Sequence, residues 1–341
     1  TAAGAYVATP KKGIHDWIGS IDINSLYPSV IRALNMGPET IVGQIRPVIT
    51  SAEINRAKSQ KKSFAAAWDN QFGSWEYQAV MNKDKGTEIV IDWANGTSIR
   101  MSAAQLYDLV FESNNKWMLS ANGTLFTYEF EAIIPGLLKR WYAERKEMQR
   151  KMQQSGSNEI ERAYWDKRQL VKKINLNSLY GALLNPGCRF FDIRIGQSVT
   201  LTGRCITKHM AAKVNDIVAG KYNHTGESII YGDTDSVYFT AHKTLQNDIN
   251  AGKIAWNKES VIALYDKIAE EMNTSFTGFM TNAFHCPHTR GSIIRAGREL
   301  VAIKGLFITK KRYAVLYYDI EGERTDNAGK EGKMKAMGLD L

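Results

Sequence analysis

Three carboxylates have the spacing and surroundings to do chemistry. Asp233 and Asp235 interrupt an apolar run at 229–239, IIYGDTDSVYF, and Asp22 closes another, WIGSID at 17–22. Each run reads as a strand entering a turn. If the two strands are neighbours in one sheet, Asp22 and Asp235 converge at its edge. Converging carboxylates repel and lose hydration unless something positive joins them. Magnesium takes oxygen ligands, keeps waters and shares phosphates with a few carboxylates. Two such ions ~4 Å apart can hold the attacking and leaving oxygens of an in-line displacement at phosphorus. On a strand the side chains of D-x-D share a face. In a tight turn that relation relaxes, so Asp233 need not be a ligand. A lone D-x-D turn is more often structural, and this one gains meaning from residues elsewhere.

The second group is cationic. In RQLVKKINLNSLYGALLN, starting at Arg168, Lys173, Asn177, Tyr180 and Leu184 follow one another at helical spacings and form one stripe. Lys173 can meet a phosphate as a point charge. Tyr180 and Gly181 can form a flat platform for a base pair. In KRWYAERKEMQRK the preceding helical pattern carries Arg145 and Lys146. Basic residues on facing helices can grip a triphosphate from two sides, although either helix alone would usually present them to solvent.

The elements that must position these groups are legible in outline. WIGSIDINSLYPSVIRALN runs from strand to short helix, with Pro28 in the helix's first turn. EIVIDWANGTSIRM predicts a hairpin around Asn95-Gly96, and SAAQLYDLVFES a helix capped by Ser102. Helical patterns over 135–153 and 158–184, broken at Gly156, predict an antiparallel helical hairpin. Further helices are expected over 198–219, stopped by Gly220, and over 259–279. GSIIRAG, ELVAIKGLFIT and KRYAVLYYDI read as strands. One α+β body with a helical insertion accounts for this order.

Composition sets the bounds. The chain has 341 residues and a formal charge of +9, from 44 Lys and Arg against 35 Asp and Glu. That excess suits a polyanion, though a merely soluble basic protein explains it as well. No apolar run approaches the ~20 residues that span a membrane, and no secretory signal is visible. Cys188, Cys205 and Cys286 are odd in number and far apart. Reduced thiols in a cytosolic compartment fit them. The segment HCPH at 285–288 has no second ligand pair at zinc-site spacing and reads as a loop.

Taken together, the motifs resemble those of the family B DNA polymerases, in particular the replicative polymerases of T-even-like tailed bacteriophages. DINSLYPSVIR resembles the first palm motif. KKINLNSLYG matches the fingers pattern K-x-x-x-N-S-x-Y-G, YGDTDS the second palm motif, and KKRYAV the later K-K-R-Y element. All four stand in the family's order. The likeness covers nearly all the chain and is weakest over 43–133.

The resemblance implies an α+β fold: a polymerase palm, an antiparallel sheet with packed helices, into which an antiparallel helical-hairpin fingers subdomain is inserted. The palm would occupy 1–134 and 188–341 and the fingers 135–187. It implies that Asp22 and Asp235 bind two catalytic Mg2+ ions, with Mn2+ able to substitute, and that Ile23 offers a backbone carbonyl to one. Ser25, Leu26 and the following helix would cradle the triphosphate. Tyr27 would lie under the sugar and exclude a 2′-hydroxyl. Arg145, Lys173 and Asn177 would hold the triphosphate, with Lys146 auxiliary. Tyr180 and Gly181 would pack at the nascent base pair, and Lys311, Arg312 and Tyr313 would approach the primer end. Asp233 would be the less essential acid of its motif, and Glu299 a palm glutamate near the metals.

There are departures from the family pattern. Gln149 stands where the family often has a basic residue, with Arg150 beside it, and Ala2 replaces the tyrosine of a template-contacting block. About twenty residues precede the first palm motif, where the proofreading exonuclease would lie, and the chain stops where the thumb would begin. Asp319 and Glu321 imitate an exonuclease D-x-E but follow the K-K-R-Y element, so they read as palm strand. The expectation is therefore template-directed synthesis on primer–template DNA from dNTPs, in replication of a phage genome in the host cytoplasm. Without a thumb, DNA binding would be weak and salt-sensitive. Separately encoded exonuclease and thumb chains and a sliding clamp are the partners this implies, with no membrane. The non-enzymatic alternative is a fragment that binds DNA or assembles with those chains. A reverse-transcriptase-like enzyme would show adjacent aspartates, which GDTDS lacks.

Overall fold

The computed structural model describes residues 4–48 and 73–339, so Ala2 lies outside the described residues. In chain order the strands are β1 Gly13–Ile23, β2 Ile41–Pro47, β3 Glu88–Trp93, β4 Ser98–Ser102, β5 Trp117–Leu119, β6 Thr124–Thr127, β7 Ile229–Asp233, β8 Ser236–Thr240, β9 Ala296–Thr309, β10 Arg312–Ile320, β11 Glu323–Arg324 and β12 Lys333–Met337. The chain divides into two compact units, each assembled from distant stretches of sequence. A first unit contains Ala5–Asn24, Gly203–Phe279 and the described part of Ile294–Leu341. A second contains the described parts of Thr1–Gly4 and Ser25–Thr202, together with Met280–Ile293.

The first unit is built on a seven-stranded sheet in the order β11-β10-β9-β1-β8-β7, with β12 also paired to β10. Its strand pairs are antiparallel. Ile18, Tyr231, Tyr238, Leu300, Phe307, Tyr313 and Val315 form a buried cluster on it. Burying each large apolar side chain contributes roughly 1.5–3 kcal/mol. The helix Lys258–Asn273 packs on this sheet, and Gly19 permits the approach. A Cβ there would lie 2.5 Å from Tyr265 and 2.8 Å from Phe239.

Two expectations need correction here. The helix expected over 259–279 breaks in two, Lys258–Asn273 and Phe276–Phe284. The Thr274 and Ser275 hydroxyls donate to the carbonyls of Glu271 and Met272, both at 2.6 Å, and satisfy the end of the first helix. GSIIRAG is not a strand over most of its length: a short helix, His288–Gly291, precedes β9, which begins only at Ala296.

The second unit has a five-stranded sheet, β4-β3-β2-β6-β5. The β3–β4 hairpin turns at Asn95 and Gly96, where φ is +88°. Ser102 caps the helix Ala103–Phe111 in a reciprocal box with Gln105. The two long helices are Ile133–Gln154 and Glu159–Leu183, the latter capped by Asn158. They run antiparallel: Lys172 pairs with Glu144 at 2.5 Å, Arg145 with Gln169 at 3.2 Å, and Lys151 lies 4.6 Å from the Trp165 ring. Gly156 turns between them at φ +56°. The helix Ile193–Ala219 starts five residues earlier than the apolar pattern suggests. Asp192 accepts the Arg194 N–H at 2.9 Å and opens it. HCPH is the expected loop over 285–287, and His288 opens the short helix: His285 bonds the Trp117 carbonyl at 2.7 Å, and Cys286 is buried. Among the described residues no helix is long and apolar enough to cross a membrane.

Candidate functional site

In the first unit, β1 and β8 pair so that Asp22 lies opposite Ser236, the neighbour of Asp235. The Ile23 N–H donates to the Asp235 carbonyl at 2.8 Å. The two aspartates therefore meet at the end of the central strand β1, not along the sheet's edge. The turn that presents Asp235 is held from two sides. Thr234 sits at φ +54°, its N–H donates to the Tyr6 carbonyl at 2.7 Å, and its carbonyl accepts from Thr207 Oγ1 at 2.6 Å. Such contacts offset the roughly 1–2 kcal/mol that a left-handed, non-glycine residue costs.

Asp22 and Asp235 are partly buried. Among the described residues neither carboxylate accepts a hydrogen bond from another residue's side chain or forms an ion pair. Burial, and then the charges of Glu299, Asp235 and Glu321, push the Asp22 carboxyl up to about 7. Burial also raises Asp235, against its own backbone N–H. Groups so reluctant to be anionic are where a cation gains most.

Asp233 has a different environment. Lys311 Nζ lies 3.1 Å from each of its oxygens, Thr234 Oγ1 donates at 2.9 Å and the Tyr231 hydroxyl at 3.3 Å. Glu299, on β9, is held at both oxygens, by Ser20 Oγ and by Lys335 Nζ, each at 3.3 Å. Lys311 and Arg312 are exposed, whereas Tyr313 is buried, its ring stacked on Phe307 at 5.3 Å and its hydroxyl 2.9 Å from that of Tyr238. Asp319 is also buried and pairs with Arg298 at 2.6 Å, a structural role. Glu321, its neighbour in D-x-E, lines an open cleft of about 820 Å³ with Asp22, Asn24, Glu270 and Arg295. Sequence spacing missed Lys335 and Ser20. The alternation of Lys333 and Lys335 on a strand was the one available signal for the former.

In the second unit, Ser25 adopts a left-handed conformation, φ +47°, and its side chain caps nothing in the helix Leu26–Ala33. Leu26 is buried, which leaves its backbone as its polar contribution. The Tyr27 ring lies 4.4 Å from that of Tyr180, tilted by 39°, and the Tyr180 hydroxyl bonds Thr200 Oγ1. Lys173 and Asn177 are exposed on Glu159–Leu183 at a spacing of four. Arg145 is half-buried on the paired helix, and Lys146 Nζ lies 5.5 Å from the Tyr142 ring. A Cβ on Gly181 would meet no described heavy atom within 4 Å, so that surface is flat and open.

Two partly buried carboxylates with raised proton affinity are a donor set that suits a hard divalent ion, whose shell waters and phosphate would complete. Among the described residues no three His, Cys, Asp or Glu side chains form a ready-made metal cage.

The family model for DNA polymerase family B matches residues 1–280. The DNA-directed DNA polymerase of Escherichia phage RB69 is 26% identical over 350 residues, covering 99% of this chain and 38% of that protein. The DNA-directed DNA polymerase of Enterobacteria phage T4 is 28% identical over 355 residues, with the same coverage of each. A DNA polymerase of Pyrococcus glycovorans is 24% identical over 339 residues, 99% of this chain and 29% of the relative. The chain thus spans well under half the length of these relatives.

Proposed function

Because this chain belongs to DNA polymerase family B, we propose that it catalyses template-directed DNA synthesis in the replication of a bacteriophage genome. A primer 3′-hydroxyl attacks the α-phosphate of a dNTP, a phosphodiester bond forms, and pyrophosphate leaves. The observation that carries this reading is the pair Asp22 and Asp235, brought together at the end of β1 with, among the described residues, no cation bonded to either.

Asp22 and Asp235, with the Ile23 carbonyl, would hold two Mg2+ ions or Mn2+ in their place. When bound, these supply charge neutralisation at the attacking and leaving oxygens. The chain's own residues position the rest. Arg145, Lys173 and Asn177 hold the triphosphate, with Lys146 in support. Ser25 and Leu26 receive phosphate oxygens on backbone N–H groups where the chain turns left-handed at Ser25. Tyr27, backed by Tyr180, blocks the position of a 2′-hydroxyl. Tyr180 and Gly181 offer the base pair a flat surface. Lys311 and Arg312 face the primer strand, and Tyr313 anchors their turn in the core. In this reading 1–134 and 188–341 are palm and 135–187 fingers. Catalysis then rests on positioning and electrostatics.

Primer extension tests this, with the chain alone and with separately supplied exonuclease and thumb polypeptides, in Mg2+ and dNTPs. Template-dependent extension in either setting is expected. No extension in both would remove the enzymatic reading.

A further inference from the structure

The acid group contains a cation that the polymerase reading does not use. Lys335 lies on β12, opposite Val315 of β10. Its ammonium is 3.3 Å from Glu299 Oε1 and 3.3 Å from the Tyr238 hydroxyl. That hydroxyl is fixed by the Tyr313 hydroxyl at 2.9 Å, and both rings are buried. The second Glu299 oxygen accepts from Ser20 Oγ, which in turn accepts the Leu300 N–H at 3.2 Å. The Glu299 carboxylate is thus clamped from β1 on one side and from β12 on the other. Glu299 acts on Asp22 and on Asp235, and Lys335 is the cation that opposes it at both.

We infer that Lys335 is a positioning residue of the acid site: it fixes the Glu299 carboxylate beside Asp22 and Asp235 and occupies part of the negative field that a divalent ion would otherwise feel. This rests on the reading of Asp22 and Asp235 as metal ligands. It has two consequences of opposite sign. Removing the Lys335 charge while keeping its length leaves the site more negative, so divalent ions bind more tightly. The same change frees Glu299 to rotate, so the site is less well ordered for the reaction. A merely structural lysine would weaken both properties together.

The test compares the wild-type chain with Lys335→Met, Lys335→Arg, Glu299→Gln and the double variant Lys335→Met/Glu299→Gln. Melting curves establish that each is folded, and Lys335→Gln replaces the Met variant if that one is not. Direct Mn2+ titration by electron paramagnetic resonance, without DNA or nucleotide, should show Lys335→Met binding ~3–10-fold more tightly, the size expected for a unit charge removed at close range. Single-nucleotide extension at saturating metal should slow ~10-fold at unchanged dNTP KM. Lys335→Arg should restore both properties, and the double variant should be no slower than Glu299→Gln alone. Unchanged Mn2+ affinity in Lys335→Met, or losses that add in the double variant, would overturn the proposal. If the wild-type chain extends no primer under any condition, the polymerase reading fails, and the Mn2+ titration still decides the role of Lys335.

Discussion

Lys311 Nζ stands 3.1 Å from both carboxylate oxygens of Asp233, so the first acid of YGDTDS is tied to the turn of the K-K-R-Y element. The Lys311 N–H also donates to the Tyr231 hydroxyl at 2.8 Å, and that hydroxyl reaches Asp233 at 3.3 Å. Asp233 is committed to shaping that turn, while Asp235, two residues on, has no such partner among the described residues. Asp235→Asn should therefore abolish extension, whereas Asp233→Asn should cost ~10-fold or less. Stability should fall by only ~0.5–1 kcal/mol in the latter, because Lys311 is largely exposed. Single-turnover incorporation and a urea melt of each variant check this. Retained turnover in Asp235→Asn would remove the metal assignment.

The mutual repulsion of Asp22, Asp235 and Glu299 predicts a stability effect that needs no catalysis. A buried charge without a partner is costly, and Asn is its neutral isostere. At pH 8, in chelator, Asp22→Asn should melt at higher temperature than the wild type, by the equivalent of ~1–3 kcal/mol. Mg2+ should raise the melting temperature of the wild type and leave that of the variant nearly unmoved. A variant less stable than the wild type in chelator would contradict the electrostatic account of the pair.

Tyr27 and Tyr180 are in ring contact, and Tyr180 is pinned by Thr200. That places a rigid wall behind Tyr27 and makes it suitable to exclude a hydroxyl by shape. Tyr27→Ala should relax discrimination against ribonucleotides by ~100-fold, while Tyr180→Phe, which keeps the ring and loses one hydrogen bond worth ~1 kcal/mol, should change it little. Paired kinetics with a dNTP and the matching rNTP read the ratio. Unchanged selectivity in Tyr27→Ala would rule out the gate.

Legibility in the sequence followed the range of the interactions involved. The Asp22 and Asp235 strand ends, the Lys173–Tyr180 stripe, the Ser102 cap and the hairpin at Gly96 all depend on neighbours within a few residues, and short-range patterning shows them. Lys335 and Glu299 meet only because β12 adds to β10 and β10 pairs with β9, a register that spacing along the chain does not encode. The same holds for the two units, each built from segments far apart in sequence. The break at Thr274–Ser275 was hidden because hydroxyl residues are tolerated inside helices, and the apolar periodicity continues past it.

Arg298 is the buried centre of an ionic triad with Asp266 at 2.7 Å and Asp319 at 2.6 Å, and its side chain is only 4% exposed. Removing one member leaves an unpaired charge in the interior, which costs ~3–5 kcal/mol. Arg298→Met should lower stability by that amount, with Asp319→Asn somewhat milder. Neither should create or remove nuclease activity, since Asp319 is spent on this pair. A nuclease signal that disappears in Asp319→Asn while the fold persists would revive the D-x-E reading.

His209 makes the stability of the fold depend on pH. Its ring is buried against Phe279 at 4.1 Å, with one nitrogen 2.7 Å from the Tyr222 hydroxyl and the other 2.9 Å from Ser275 Oγ. Burial, with Lys213 adding to it, lowers its pKa from 6.5 to about 4. The folded chain therefore holds this imidazole neutral where the unfolded chain protonates it. Stability from this group is fully present above pH 6.5 and is lost as pH falls towards 4, by up to ~3 kcal/mol. His209→Gln keeps a hydrogen-bonding side chain that does not titrate, so its denaturation midpoint should fall less steeply than the wild type's between pH 6.5 and 4. The carboxylates contribute the same background to both proteins, so the difference between the two slopes isolates the histidine. Parallel slopes would mean that His209 takes up its proton as readily in the folded chain as in the unfolded one, against the lowered proton affinity that burial implies.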